Sequence, residues 1–350
     1  MKRILSCIFL ILAFSGLTIA QETPVTLKLL THDSFAVSED VLNAFQTSTG
    51  ITVEVVRSGD AGIMVNQSIL SKDTPLGDVM FGVDNTFLSR ALDAGIFDAY
   101  TSPAVSEIPD RFKLDDENRV TPVDYGDVCL NYDVAYFSQH AIPLPATLAD
   151  LTKPEYKSLL VVENPATSSP GLAFVLLSIS AFGTEGDYTY LDYWKELVAN
   201  DVYIADDWSN AYYTQFSGSI GSEGTRPLVV SYASSPPAEV YFADPQPETA
   251  PTGSITTDGM CFRQIEFAGI LKGTSQPEAA RDFIDFLLSK TFQEDMPLQM
   301  FVFPVLPKAQ LPEVFAKFAA VPAKPVVVAP SDIDTNREEW LQLWMETVLR

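Results

Sequence analysis

Two α/β lobes closing on a shared cleft is the architecture this sequence predicts. Three observations carry it. Strand-like apolar runs alternate with helical periodicity through the first hundred residues, the pattern of parallel strands joined by helices. Near 120–132 the pattern turns into consecutive strand-like pieces, as where a chain leaves one sheet for another. A length of 350 residues with no internal repeat or low-complexity linker suits two compact units.

The elements follow in order. Residues 25–30 alternate as a strand, and THDSF (31–35) breaks it. Ser38 opens a helix over 38–48 whose Val41, Leu42 and Phe45 share a face, and Gly50 ends it. A strand at 51–56, a helix at about 61–70, a buried strand at 78–81 and a helix at about 86–94 repeat the alternation. Beyond the strand-like 120–132 come a strand at 159–162, an apolar helix at 171–182 and a Tyr/Trp-rich helix at 188–199. Another strand is expected at 228–232, a Pro-rich loop at 236–253 and a strand at 265–270. Helices at 277–289 and 336–349 close the chain. Crossings near 122–126 and 255–265 divide it into a first lobe of 21–123 with 264–310 and a second of 124–263 with 311–350. Ligands on such sheets sit at the carboxyl ends of strands, here between the lobes.

Ahead of this lies a basic start, Lys2-Arg3, then a mostly apolar run to about Ile19 and small residues at Thr18 and Ala20. That is the layout of a cleavable secretory signal over residues 1–20. The run is shorter than the roughly 20 apolar residues of a membrane span, and no Cys stands where a lipid anchor would need one. Cleavage removes Cys7 and leaves Cys129 and Cys261, which could pair in an oxidising compartment; sequence leaves that open.

Composition excludes several classes. Lys plus Arg number 22 against 46 Asp plus Glu, a net charge of −24. So acidic a chain lacks the basic stripe that nucleic acid requires and favours cationic ligands. With 47% hydrophobic and 19% charged residues it is a folded chain, not a disordered one. The two histidines, His32 and His140, have no neighbours at metal-ligand spacing. There is no nucleophile elbow, phosphate loop or dinucleotide fingerprint, hence no cofactor and no enzymatic site in view.

Candidate binding residues fall after strands. His32 and Asp33 follow the first, Asp60 the second, and Asp84 the third. Ser168 and Ser169 open the helix at 171–182, whose free N–H groups suit an anionic or hydroxyl group. In DDWSNAYYTQF (206–216), Trp208 and Tyr212 are four apart and share a helical face. A ring beside carboxylates suits a flat cation.

At these motifs the sequence resembles the bacterial periplasmic thiamine-binding proteins, the solute receptors of thiamine ABC importers. The resemblance runs through THDSF (31–35), GDVMFGVDNTFLSRALDAGIF (77–97), PVDYGDVCLNYD (122–133), NPATSSPGL (164–172), DDWSNAYYTQF (206–216) and VVSYASSPPAEVYF (229–242). It continues in QPEAARDFIDFLLSKTFQ (276–293) and the turn at 301–304. It implies a type II periplasmic binding protein, two α/β lobes joined by a hinge around a ligand cleft. It also implies a monomer that delivers its solute to an ABC permease with a cytoplasmic ATPase. Carried over by position, Asp60 meets the charged or amino part of the ligand, Trp208 and Tyr232 give aromatic contact, and Ser168 with its neighbours holds the hydroxyethyl or phosphate arm.

The sequence departs from the family at four aromatic positions. His32 replaces a tyrosine, a nearby tryptophan is absent, the tyrosine expected in the stretch after Tyr232 is missing where the chain reads Ser235-Pro-Pro-Ala238-Glu239, with Tyr241 close by, and Phe301 replaces a tryptophan. The expected ligand is therefore thiamine, one of its phosphates, or a related aminopyrimidine or cationic metabolite. A ferric-ion receptor of the same fold, using Tyr212-Tyr213, is the alternative; an exported enzyme on a cationic substrate is a more distant one.

Overall fold

The computed structural model describes residues 25–350; the expected signal segment lies outside them. Eleven strands form one continuous sheet. They are β1 (Val25–Thr31), β2 (Ile51–Arg57), β3 (Val79–Asp84), β4 (Phe97–Asp98), β5 (Thr121–Asp133), β6 (Leu160–Glu163), β7 (Tyr203–Ala205), β8 (Leu228–Tyr232), β9 (Thr252–Ile255), β10 (Phe262–Leu271) and β11 (Phe303–Pro304). The order is β2-β1-β3-β10-β5-β8-β6-β7. Parallel β1–β2 and β1–β3 pairs make one side, and parallel β6–β7 and β6–β8 pairs the other. Each side is a parallel sheet covered by helices, which is why its strands read as near-continuous apolar runs.

The two sides meet through the long antiparallel pair β5 and β10. Their ladder places Glu266 opposite Asp124, Gln264 opposite Gly126 and Phe262 opposite Val128. Register shifts flank Phe267, against Val123 on β5 and against Gly82 on β3. Such bulges add local twist where the sheet passes from one half to the other. On the far end of the ladder Cys129 and Cys261 form a disulfide, which closes the question the sequence left open. It ties the two crossing strands together.

Helices pack on both faces. Phe45 of the Glu39–Thr49 helix meets Phe283 of the Pro277–Leu287 helix edge-on at 5.2 Å, in a core with Leu27, Leu29, Val79 and Phe81. In the other half the Ser169–Phe182 helix is buried along most of its length, with Phe174 against Trp194. Trp194 in turn meets Trp344 of the Pro330–Val348 helix. That closing helix packs on both the Tyr190–Ala199 helix and the Leu88–Asp93 helix, so it spans the two halves. Among the described residues no helix is long and apolar enough to cross a membrane.

Three local expectations change. The strand-like pieces near 120–132 are one strand of thirteen residues; its polar positions had broken the apolar pattern. The third strand extends through the positive-φ Gly82 to Asp84, so Asp84 ends the strand instead of following it. The Pro-rich loop begins with a helix, Pro236–Tyr241, because proline is tolerated in a first turn, where the missing N–H is no loss.

Candidate functional site: a carboxyl-floored aromatic cleft

Between the two halves lies a cavity of about 350 Å³, the size of a small-molecule site. Its floor is the β5–β10 ladder. Strand side chains alternate between faces, so Asp124, Gly126, Gln264 and Glu266 all point to the cleft. The opposite face carries Asp127 and Arg263, paired at 2.6 Å. Two glycines shape the floor. A Cβ at Gly126 would lie 2.9 Å from the Tyr232 ring, and one at Gly82 2.2 Å from His32 Cδ2. Both rings therefore settle directly on the sheet, and Gly82, at φ 101°, holds a backbone conformation that suits glycine.

One wall is aromatic. The chain from Trp208 coils into a π-helix, Asn210–Gln215, an irregularity frequent at functional sites. Trp208 and Tyr212 stack at 5.0 Å and 15°. Trp208 Nε1 donates to Ser231 Oγ at 3.0 Å, which fixes the edge of the ring. The Tyr212 hydroxyl donates to Glu239 Oε1 at 2.9 Å. Tyr232 lies 6.5 Å from Trp208, tilted 56°, and its hydroxyl donates to Gln264. Across the cleft stand Phe35, Met300 and Phe301. Phe301 holds a left-handed φ of 55° and meets Phe242 edge-on at 5.6 Å.

The remaining wall is polar. Asp60 caps the Ala61–Leu70 helix: one oxygen accepts from Ala61 N at 2.8 Å, the other from Trp208 N at 3.3 Å. That second bond joins the two halves, as does Gly62 N donating to Thr167 O at 3.0 Å. His32 Nε2 sits 3.3 Å from Glu266 Oε1, within ion-pair range but without hydrogen-bond alignment. The cavity lining contains no Lys or Arg.

Burial governs the electrostatics. It pushes Asp60 and Asp84 above the usual carboxylate range, Asp84 to about 6, despite hydrogen bonds from Ser169 and Thr86 to Asp84. It pushes Asp124 well up, with Glu266 adding repulsion. Burial, the largest single influence, lowers His32, but the charge and hydrogen bond of Glu266 together with the charges of Asp60 and Asp84 outweigh it and raise it above its ordinary value. The cleft is thus poor in positive charge, rich in carboxyls, and lined with rings.

Of the residues the sequence singles out, His32, Asp33, Asp60, Ser169, Trp208, Tyr212, Tyr232 and Phe301 line the cavity. Asp84, Ser168 and Glu239 stand one layer back. Asp84 accepts from Ser169 Oγ and from Thr86 N and Oγ1. Ser168 holds the N-cap position without capping through its side chain; its buried hydroxyl lies beside Asp60, lowering that carboxyl, without an aligned hydrogen bond. Glu239 braces Tyr212 and accepts from Ile220 N. Sequence reasoning missed Asp124, Gly126, Gln264 and Glu266. Their signal was polar or bare residues two apart inside strands otherwise built for burial.

Residues 74–320 match the family model described as bacterial extracellular solute-binding protein. The chain belongs to this family. It is a solute-binding receptor of type II periplasmic binding-protein fold, not an enzyme. It is 27% identical to the thiamine-binding periplasmic protein of Salmonella typhimurium over 330 residues, 93% of this chain and 94% of that one. A solved periplasmic thiamin binding protein superposes with a TM-score of 0.79 at 23% identity, covering 93% of this chain and 96% of that one. Iron-bound HitA from Pseudomonas aeruginosa superposes at 0.73 and 20%, covering 93% and 99%. Among the described residues, no group of three or more His, Cys, Asp or Glu is placed to hold a metal ion.

Proposed function

We propose that this receptor captures thiamine, a thiamine phosphate or a related cationic aminopyrimidine in the periplasm and delivers it to an ABC permease driven by a cytoplasmic ATPase. One observation carries the reading: a stacked aromatic wall, Trp208 on Tyr212 with Tyr232 beside them, faces a floor of carboxyls with no Lys or Arg in the lining. A flat cation is the ligand that both surfaces favour, the rings through their π-faces and the carboxyls through charge. The thiamine-binding relatives span nearly the whole chain and support that choice.

The test is a fluorescence titration of the mature protein, refolded free of carried-over ligand. Of its four tryptophans, only Trp208 lines the cavity. Saturable quenching by thiamine at nanomolar to low micromolar concentration is expected. No response to thiamine, its phosphates or the free pyrimidine would remove the assignment.

A ferric-ion receptor is the second reading, favoured by the iron-bound neighbour and by Tyr212-Tyr213. Against it, the Tyr212 hydroxyl is committed to Glu239 behind the wall. Visible charge-transfer colour on adding ferric citrate would reverse the order of the two readings.

A further inference from the structure

The cleft floor holds a group that neither the aromatic wall nor Asp60 explains. Asp124 is fully buried, lines the cavity, and accepts from no N–H or hydroxyl of the protein, the Glu266 carboxyl alone standing within hydrogen-bond reach. Directly opposite in the ladder is Glu266, and opposed residues on one face of a sheet have their Cβ atoms about 5 Å apart. His32 approaches Glu266 from the side and leaves Asp124 without a cationic partner. Asp60 differs, since both its oxygens already accept backbone N–H groups. The other polar groups facing the pair are Asp84 from β3 and Tyr232 from β8, whose hydroxyl is given to Gln264.

A buried carboxyl without a donor is costly, and two carboxyls side by side do not both ionise without a counter-charge. In the empty cleft the one group within hydrogen-bond reach of Asp124 is the Glu266 carboxyl, so the pair is held by a shared proton, and a cationic donor entering the cleft takes that proton's place. It must carry N–H groups, be cationic, and reach the floor while its ring lies against Trp208. Two acceptors from adjacent strands suit a head with at least two N–H bonds, such as an amidine-like amino–ring-nitrogen edge or an ammonium group.

We propose that Asp124 and Glu266 form the deepest subsite of the cleft and receive the protonated amidine- or ammonium-type nitrogen head of the ligand. The proposal rests on the reading of the ligand as a nitrogenous cation and adds where its nitrogen end lies. It assigns the crossing strands, and not Asp60 alone, to selecting that end. A ligand seated there touches both β5 and β10, the two strands that pass between the halves.

Calorimetric titrations of wild type, Asp124→Asn and Glu266→Gln test it with three probes. These are thiamine, its 4-oxo analogue, which presents a carbonyl acceptor where thiamine presents an amino donor, and the free 4-amino-2-methylpyrimidine. Wild type is expected to prefer thiamine over the 4-oxo analogue by tenfold or more. Asp124→Asn should weaken thiamine at least tenfold and abolish that preference, while the melting temperature of the empty protein stays level or rises. That opposition of sign is what a binding group shows and a structural one does not. Wild-type affinity and preference in both variants would overturn the subsite and leave the thiamine reading standing. A fall in melting temperature with equal losses for both thiamine compounds would also overturn it, by making the pair structural. Wild type binding none of the three probes would overturn subsite and reading together.

Discussion

The Trp208 side chain concentrates the aromatic argument in one residue. Its face stacks on Tyr212, its N–H is held by Ser231, and its backbone N–H reaches Asp60 across the cleft. Trp208→Ala removes the stacking surface and leaves those carboxyls in place. We expect it to weaken binding by about 1–3 kcal/mol, from stacking and cation–π contributions together. Calorimetry reads this, and unchanged affinity would take Trp208 out of the site. This residue was legible in the sequence because the four-residue spacing to Tyr212 survives in the π-helix. Asp124 and Glu266 were not, because polar residues inside a strand look like interruptions until the partner strand is known. Two separated segments, D-x-G at 124–126 and Q-x-E at 264–266, carry the same alternation, and only the ladder brings them opposite each other.

Elements set how closely the halves meet. The Ala61–Leu70 helix presents Gly62 to the loop before the Ser169–Phe182 helix, and a Cβ there would fall 2.7 Å from Thr167 O and 2.8 Å from Phe87 Cζ. Gly62→Ala therefore holds the helix off the loop and stretches both the Gly62–Thr167 and Asp60–Trp208 bonds. Overpacking of this kind costs about 1–3 kcal/mol, and we expect it as a matching loss of affinity, roughly 5- to 150-fold, with a wider average shape in small-angle scattering. Affinity equal to wild type would show that this approach is not used in binding. The sequence exposed most of these elements: Gly50 stops the first helix with a left-handed cap, and the strand at Leu228–Tyr232 stands where it was expected. It blurred where function intrudes on regularity. The end of β3 at Gly82 seats the His32 ring and the thirteen-residue β5 carries Asp124 and Gly126, and both were read as shorter pieces.

At the scale of the whole molecule, the buried carboxyls make stability depend on pH in a definite direction. Burial raises Asp60, Asp84, Asp124 and Glu163, with Asp84 at about 6. An acid whose folded value is raised holds its proton more tightly when folded. For Asp84 that stabilisation is fully present below about 4, the unfolded value, and is lost as pH rises through about 6. His32, raised by Glu266 with Asp60 and Asp84 against its burial, acts in the same sense: its contribution is complete below about 6.5 and is lost as pH rises through the folded value. The net charge of −24 adds self-repulsion once the carboxyls ionise. Opposing groups such as Asp150, drawn down to about 2 by Lys153, lose their contribution only as pH falls from about 4 toward 2; the Lys153 end of this pair is exposed, and solvent screening keeps it weak. The empty receptor should therefore melt higher at pH 5 than at pH 8 in scanning calorimetry at constant ionic strength. A saturating cationic ligand should raise the melting temperature more at pH 8, where ionised carboxyls meet its charge, than at pH 5. If the empty protein melted higher at pH 8, the cleft carboxyls would have to be ionised at little cost, and a site formed around a missing positive charge would lose its physical basis.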